Sequence, residues 1–237
     1  MKVNWFLIKM ILISAFLFFL MAFSYQRNHA RSARNLEVRF VENSQPFMAI
    51  DSVNKLLIQN DDSLASILKE TLALKEMEAR LTQHPMVYQA QVFISIDGNI
   101  GAKIKTKRPI GRVLSEPGFY IDEQGQPMPL SNRYTARVPI VTGPVLLHLE
   151  ALKKVLLTLR DDDFFGPRIT EVAVKEDGTF ELRLRHENYF LCLGPSTDLT
   201  RKLRNFKAFY QSMEGNSEQM KYKKIDLRFN NQVVATE

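Results

Sequence analysis

The stretch Trp5–Tyr25, WFLIKMILISAFLFFLMAFSY, carries a single charge, Lys9, and none from Met10 to Tyr25. A helix needs about 20 mostly apolar residues to cross a bilayer. This segment reaches that length with Lys9 near the interface, its stem extended toward the headgroups. Trp5 and Tyr25 bracket it as aromatic rings do at membrane–water boundaries, and Phe16 and Phe19 lie inside the apolar run. No other stretch of the 237 residues is apolar enough to span. The expected organisation is a stub at residues 1–4, a transmembrane helix at 5–25, a polar and basic linker at 26–35, and everything after that on one side of the membrane.

A cleaved secretory signal is the competing reading: Lys2 and Lys9 precede the apolar core, and Ala22-Phe23-Ser24 has a small-x-small pattern. The uncharged run is long for a signal, and bulky Phe23 and Tyr25 crowd that site, so an uncleaved anchor is expected. Orientation stays open on charge. Lys2, Lys9 and the amino terminus favour a cytoplasmic N-terminus, whereas Arg27, Arg31 and Arg34 oppose it. The apolar fraction of 45% permits a packed core, and the charged fraction of 24% is ordinary for a solvated surface. Part of the net charge of +6 comes from Lys2 and the three linker arginines, which would suit anionic headgroups or solvate a linker. The lone Cys192 sits in an apolar run and forbids a disulfide framework. It reads as a buried strand residue.

Past the linker, Leu36, Val38 and Phe40 alternate with Glu37 and Arg39 as in a half-buried strand. Asp51 or Ser52 can cap a helix over 53–59, and Leu64, Ile67 and Leu68 suggest further helical turns. Leu74, Met77 and Leu81 mark an amphipathic helix that must stop before His84-Pro85, because proline disfavours helical geometry in the residue before it. Val92, Ile94 and Ile96 share one face of a strand, and Ala102, Ile104 and Thr106 share one face of the next, opposite Lys103, Lys105 and Lys107. Asp97-Gly98 between them is a hairpin signal. The order strand, helix, helix, strand, strand lets two helices cover one face of a small sheet. The pattern Leu81-x-x-His84-Pro85-x-Val87-x-x-Ala90-x-Val92, then Arg108-Pro109-Ile110-Gly111, resembles the POTRA (polypeptide-transport-associated) domain of the FtsQ/DivIB bacterial division proteins. The family usually has alanine where Gly111 stands.

Phe119-Tyr120-Ile121 is a short strand and Gly125 suits the turn after Asp122. Residues 126–130 continue extended, since Pro127 and Pro129 exclude helix. Residues 138–143 read as an edge strand because of Pro139. Tyr120-Ile121-Asp122-x-x-Gly125 followed by Val138-Pro139-Ile140-Val141-x-Gly143 is similar to the start of the family's β-rich second domain. A helix is expected over 146–160 and a hairpin over 169–174 and 180–185. A strand over 189–193 and a basic amphipathic helix over 199–213 follow, the latter with Arg201, Lys202, Arg204 and Lys207 off its core face. The last strand is expected over 222–230, with Ile225, Leu227 and Phe229 alternating against Asp226 and Arg228. The fold class is therefore α+β: one transmembrane helix, a β-α-α-β-β POTRA domain over 36–107, and a mixed β-rich domain with two helices over 108–237.

No catalytic constellation accompanies this fold. His29, His84, His148 and His186 stand apart, without Cys or Glu at metal-ligand spacing. The adjacent Asp161-Asp162-Asp163 lacks the alternation of a calcium loop, and a solvated loop is expected there. Ser52-Val53-Asn54-Lys55 fits the Ser-x-x-Lys of penicillin-interacting enzymes, but the companion motifs are missing. No phosphate-cradling glycine loop occurs. The expectation is no enzyme, no metal and no cofactor. The basic helix at 199–213 reads as a solvated face, so no nucleic acid is expected as partner.

Such a chain acts by binding. A terminal strand offers unpaired backbone groups to an added strand. The resemblance to FtsQ/DivIB proteins implies the rest. It implies an inner-membrane, single-pass scaffold at the division septum, N-terminus cytoplasmic and domains extracytoplasmic. It also implies bridging of early and late division proteins, with capture of FtsB, paired with FtsL, through the C-terminal strand region. Tyr222, Ile225, Leu227, Arg228 and Phe229 are the candidate contacts; Tyr222 and Arg228 suit direct contact best, since both residue types are enriched at interface hot spots. For Ile225 and Leu227 core packing is the rival role. Two other classes compete: an anchored or secreted POTRA protein that handles exported polypeptides, and an envelope hydrolase whose site assembles only in space.

Overall fold

The computed structural model describes residues 5–29, 36–40, 47–49, 52–53, 55, 71–95, 99–213, 222–230 and 232–237. The first element, α1 (Trp5–His29), runs 25 residues, or about 37 Å at 1.5 Å per residue. Within it Ile8–Gln26 is long and apolar enough to cross a membrane. All its described side chains are exposed, including Trp5, Lys9, Phe16, Phe19 and Tyr25. An apolar helix that buries nothing in protein needs an apolar surrounding from elsewhere. Lys9 Nζ lies 5.4 Å from the Trp5 ring centroid, which draws the charge toward the aromatic end of the helix.

The chain divides into two compact units, residues 1–44 with 49–105, and residues 45–48 with 106–237. In the first, β1 (Leu36–Phe40), α2 (Thr71–Gln83), β2 (Val87–Ile94) and β3 (Ile100–Thr106) follow in order. The sheet order is β1-β3-β2, with β1 parallel to β3 from Leu36↔Ile100 to Phe40↔Ile104. The core face holds Val87, Ala90, Val92, Ile100, Ala102 and Ile104, and α2 contributes Met77 and Leu81. His84-Pro85 ends α2 as expected. There the His84 carbonyl accepts the Val87 N–H at 2.9 Å and the His84 Nδ1 accepts the Met86 N–H at 3.2 Å. Ser52, Val53 and Lys55 are helical, and Val53 is fully buried. The rest of that expected helix, the turns around Leu64–Leu68, Ile96 and the Asp97-Gly98 turn lie outside the described residues.

The second unit is built on β4 (Pro109–Val113), β5 (Phe119–Asp122), β6 (Pro127–Pro129), β7 (Ile140–Thr142), β8 (Ile169–Val174), β9 (Phe180–Leu184), β10 (Phe190–Gly194), β11 (Lys224–Asp226) and β12 (Val234–Thr236). They form one nine-stranded sheet in the order β12-β11-β10-β9-β8-β7-β4-β5-β6. Helices α3 (Leu149–Arg160) and α4 (Leu199–Met213) supply Leu152, Val155, Leu156, Leu159, Leu199, Leu203 and Phe206 to one core with the sheet. Phe165 and Phe206, both fully buried, meet at a tilt with 5.5 Å between centroids, and Phe164, Tyr189 and Tyr210 ring them.

The motif Tyr120-Ile121-Asp122-x-x-Gly125 is structural. The buried Asp122 carboxylate accepts the N–H of Gln124 and Gln126 at 3.0 and 2.7 Å and pairs with Lys107 at 3.1 Å. Gly125 closes this turn at φ 79°. Tyr120 Oη accepts the Ala136 N–H at 3.1 Å, and its ring meets Phe47 at 6.1 Å.

Four expectations need correction. Residues 138–143 are no edge: β7 lies between β4 and β8, parallel to both. Pro139 precedes the strand, so its missing N–H falls outside the β7 ladder, and its carbonyl accepts the Arg112 N–H at 2.9 Å. The helix over 146–160 opens as a 3-10 turn, Val145–His148, because Gly143 and Pro144 must first turn the chain. Lys202 is buried, at 3% exposure, with Nζ donating to the Pro195 carbonyl at 2.7 Å, and burial lowers its pKa. Asp162 is no solvated loop residue. Half-buried, it accepts from the Phe164 and Phe165 N–H and pairs with Lys207 at 2.6 Å; burial pushes its pKa up, but these partners more than offset it and leave it lowered.

Candidate partner-binding edge

The expected terminal strand over 222–230 is shorter and less exposed to pairing than its sequence suggests. Only Lys224–Asp226 is in strand, and β12 pairs on its outer side with the register Lys224↔Thr236, Ile225↔Ala235 and Asp226↔Val234. On the inner side β11 runs parallel to β10, with Phe190↔Lys224, Leu191↔Ile225 and Cys192↔Asp226. The strand that bears Ile225 is therefore interior, and the outermost strand at this end of the sheet, among the described residues, is β12. The signal for β12 was Val233-Val234-Ala235-Thr236 after the turn-prone Asn230-Asn231, a run short enough to pass for a tail.

The five candidate contacts fall into different environments. Ile225 and Leu227 are buried, at 0% and 2% exposure, and belong to the main core. Tyr222 is half-buried, its ring 6.2 Å from that of Phe209. Arg228 is exposed but committed: its guanidinium grips the Asp226 carboxylate, Nη2 to Oδ2 at 2.6 Å and Nε to Oδ1 at 2.9 Å. Phe229 stands out at 45% exposure, with Val234 at 37%.

Local chemistry explains why the chain leaves the sheet here. The Asp226 carboxylate also accepts the Arg228 backbone N–H at 3.0 Å, an Asx turn that bends the chain after β11. Gly194 at φ 71° leaves room for the Arg228 stem, which a Cβ would strike at 2.6 Å. The Leu227 N–H reaches back to the Cys192 carbonyl at 2.9 Å, and Asn205 Nδ2 donates to the Asn230 carbonyl at 3.4 Å. The clasp presents Phe229 and then β12.

The Arg228 guanidinium holds Asp226 below the usual carboxylate range. A depressed pKa stabilises the fold above the unfolded carboxylate value, near about 3.9, and the contribution is lost as pH falls through the folded value. Asp226→Asn is expected to cost about 1–3 kcal/mol at pH 7. The gap to the parent chain should shrink as pH falls below the unfolded carboxylate value toward the lowered folded one. Urea midpoints across pH check this, and a gap that does not change with pH would remove the clasp from the account.

The two ends of the sheet differ. At β6 the Asp122 N–H donates to the Gln126 carbonyl at 3.0 Å. In an antiparallel ladder that alternation turns Met128 inward and directs the nitrogens of Pro127 and Pro129 outward. Proline has no N–H, so the outer side of β6 presents no donor across these three residues. The strand at β12, VAT, has no proline.

The sheet is laddered with charge from β8 to β10. Glu171 and Arg183 pair at 3.2 Å, Lys175 and Glu181 at 2.7 Å, and Cys192 Sγ lies 3.8 Å from Glu181 Oε1. Burial raises the Cys192 thiol pKa, as fits an inert strand cysteine. Among the described residues no three His, Cys, Asp or Glu side chains converge as a metal site.

A curated relative, the cell division protein FtsQ of Salinibacter ruber, is 27% identical over 176 residues, which covers 65% of this chain and 66% of that protein. The family model described as FtsQ/DivIB, C-terminal related, matches residues 108–236, from β4 through β12. That match takes in more than half of the chain, and the chain belongs to the FtsQ/DivIB division-protein family.

Proposed function

We propose that this chain is a non-catalytic scaffold that links early and late division proteins at the septum. Its N-terminus lies in the cytoplasm, α1 crosses the cytoplasmic membrane, and the chain from β1 onward lies outside it. It captures the extracytoplasmic segment of FtsB, paired with FtsL, by strand addition at β12. Other membrane proteins of the division machinery share the assembly. The observation that supports this most is the inequality of the two sheet edges. One is closed by proline, while the other is proline-free and flanked by exposed Phe229 and Val234. Strand addition draws affinity from backbone bonds and specificity from neighbouring side chains. Phe229 supplies such a neighbour, whereas Ile225 and Leu227 act from beneath by fixing β11. Tyr222 and Arg228 act through Phe209 and Asp226, with their remaining exposed surface available to the partner.

A fluorescent fusion of the full chain tests the role. A band at the constriction site of dividing cells is expected, together with protease sensitivity of the second unit in spheroplasts but not in intact cells. Uniform envelope signal would overturn the scaffold reading, and protection in spheroplasts would overturn the orientation.

A further inference from the structure

We propose that the outer face of the three-stranded sheet in the first unit rests on anionic lipid headgroups of the bilayer that α1 enters. The inner face of this sheet is its core. The outer face is open and basic: Arg39, Lys103 and Lys105 are exposed on it, with Arg39 opposite Lys103 in register. One carboxylate residue, Glu37, shares the strand parity of Arg39 and stands opposite Gly101. Lys103 and Lys105 form no ion pair among the described residues. Each lies over an aromatic ring instead, Lys103 Nζ 5.6 Å from the Phe93 centroid and Lys105 Nζ 5.0 Å from that of Tyr88. A Cβ at Gly101 would overlap the far end of the Phe93 ring, which takes the space a side chain there would fill. Tyr88 is 44% exposed.

Aromatic rings with an ammonium held above them suit the headgroup layer, where tyrosine anchors and lysine meets phosphate. Covalent geometry adds to this. Between His29 at the end of α1 and Leu36 at the start of β1 stand six residues, a reach of at most about 25 Å. The face is thus tethered where a phospholipid surface has a high effective concentration. Attraction to anionic lipid is worth about fivefold in occupancy per cation, so removing Lys103 and Lys105 together should cost about twentyfold or more. An acidic polypeptide is the other occupant of matching charge, but nothing tethers it here.

The test uses the full chain in vesicles, either all phosphatidylcholine or with a third phosphatidylglycerol, each carrying a headgroup nitroxide. A fluorophore is placed at Gln91→Cys on the outer face, or at Ala79→Cys on the exposed side of α2, in a Cys192→Ser background. Expected is strong quenching at position 91 in anionic vesicles, little at 79, and loss of the difference in 0.5 M salt, where the screening length is about 4 Å. Lys103→Gln with Lys105→Gln should abolish the lipid dependence while circular dichroism stays unchanged. Quenching indifferent to phosphatidylglycerol and to both lysines overturns the proposal. So does absent quenching with protection of Lys103 from acetylation by an oligoglutamate peptide, which assigns the face to an acidic chain. The proposal requires α1 in a bilayer and not partner capture, and vesicle flotation reports the former separately.

Discussion

Phe206→Ala is expected to destabilise the second unit by about 3–5 kcal/mol. The ring is fully buried at the centre of an aromatic cluster, with Phe165 at 5.5 Å, Tyr210 at 5.9 Å, Phe164 at 6.1 Å and Tyr189 at 6.4 Å. It joins α4 to the loop that follows α3 and to the start of β10. Large-to-small changes cost most where the site cannot collapse, and rings from four different residues cannot close together on the space left by a fifth. The Tyr189 hydroxyl is buried there too, and burial raises its pKa. A cavity beside it would not supply the polar partners a water requires. Urea unfolding of the detergent-solubilised full chain, followed by circular dichroism, measures the loss. Phe209→Ala, half-buried against Tyr222, should cost less than half as much, and equal costs would overturn the central place given to Phe206.

Much of this was legible in the sequence because periodicity and punctuation agreed. Leu199, Leu203 and Phe206 sit on the helical spacing, and α4 begins and ends at the expected residues. His84-Pro85 stops α2 for a local reason that no tertiary contact overrides. What sequence misjudged were positions where a long-range partner reverses a local preference. Pro139 reads as an edge signal, yet a strand can start just after a proline and lie inside a sheet once its carbonyl finds Arg112. Lys202 reads as solvated, yet the Pro195 carbonyl satisfies its ammonium in the interior. The candidate site failed in the same way. Alternation at Ile225, Leu227 and Phe229 reads as one strand, but Asp226 and Arg228 bind each other and break it after three residues. That side-chain pair is invisible to a period-two pattern, and it is what separates two buried residues from an exposed one.

Ala235→Pro is expected to weaken capture of the FtsB extracytoplasmic segment by tenfold or more, equivalent to about 1.4 kcal/mol, without unfolding the second unit. Ala235 stands opposite Ile225 at the middle of β12. A proline there removes one backbone donor and stiffens φ. If the lost N–H faces outward, the partner loses a ladder bond; if inward, β12 peels from β11 and the template distorts. Either way the second edge comes to resemble the first, where Pro127 and Pro129 already close β6. The core should survive, because β12 contributes only the partly buried Ala235 while Ile225 and Leu227 beneath it remain packed. Phe229→Asp complements the test. It leaves the backbone of β12 intact and places a charge on a residue at 45% exposure, so it should abolish capture through the neighbouring side chain alone. Loss in both variants, with unchanged unfolding midpoints, locates capture at this edge. Retention in both would move the binding site elsewhere on the molecule, because one variant disrupts the backbone template of β12 and the other its apolar neighbour, and strand addition at this edge draws on both.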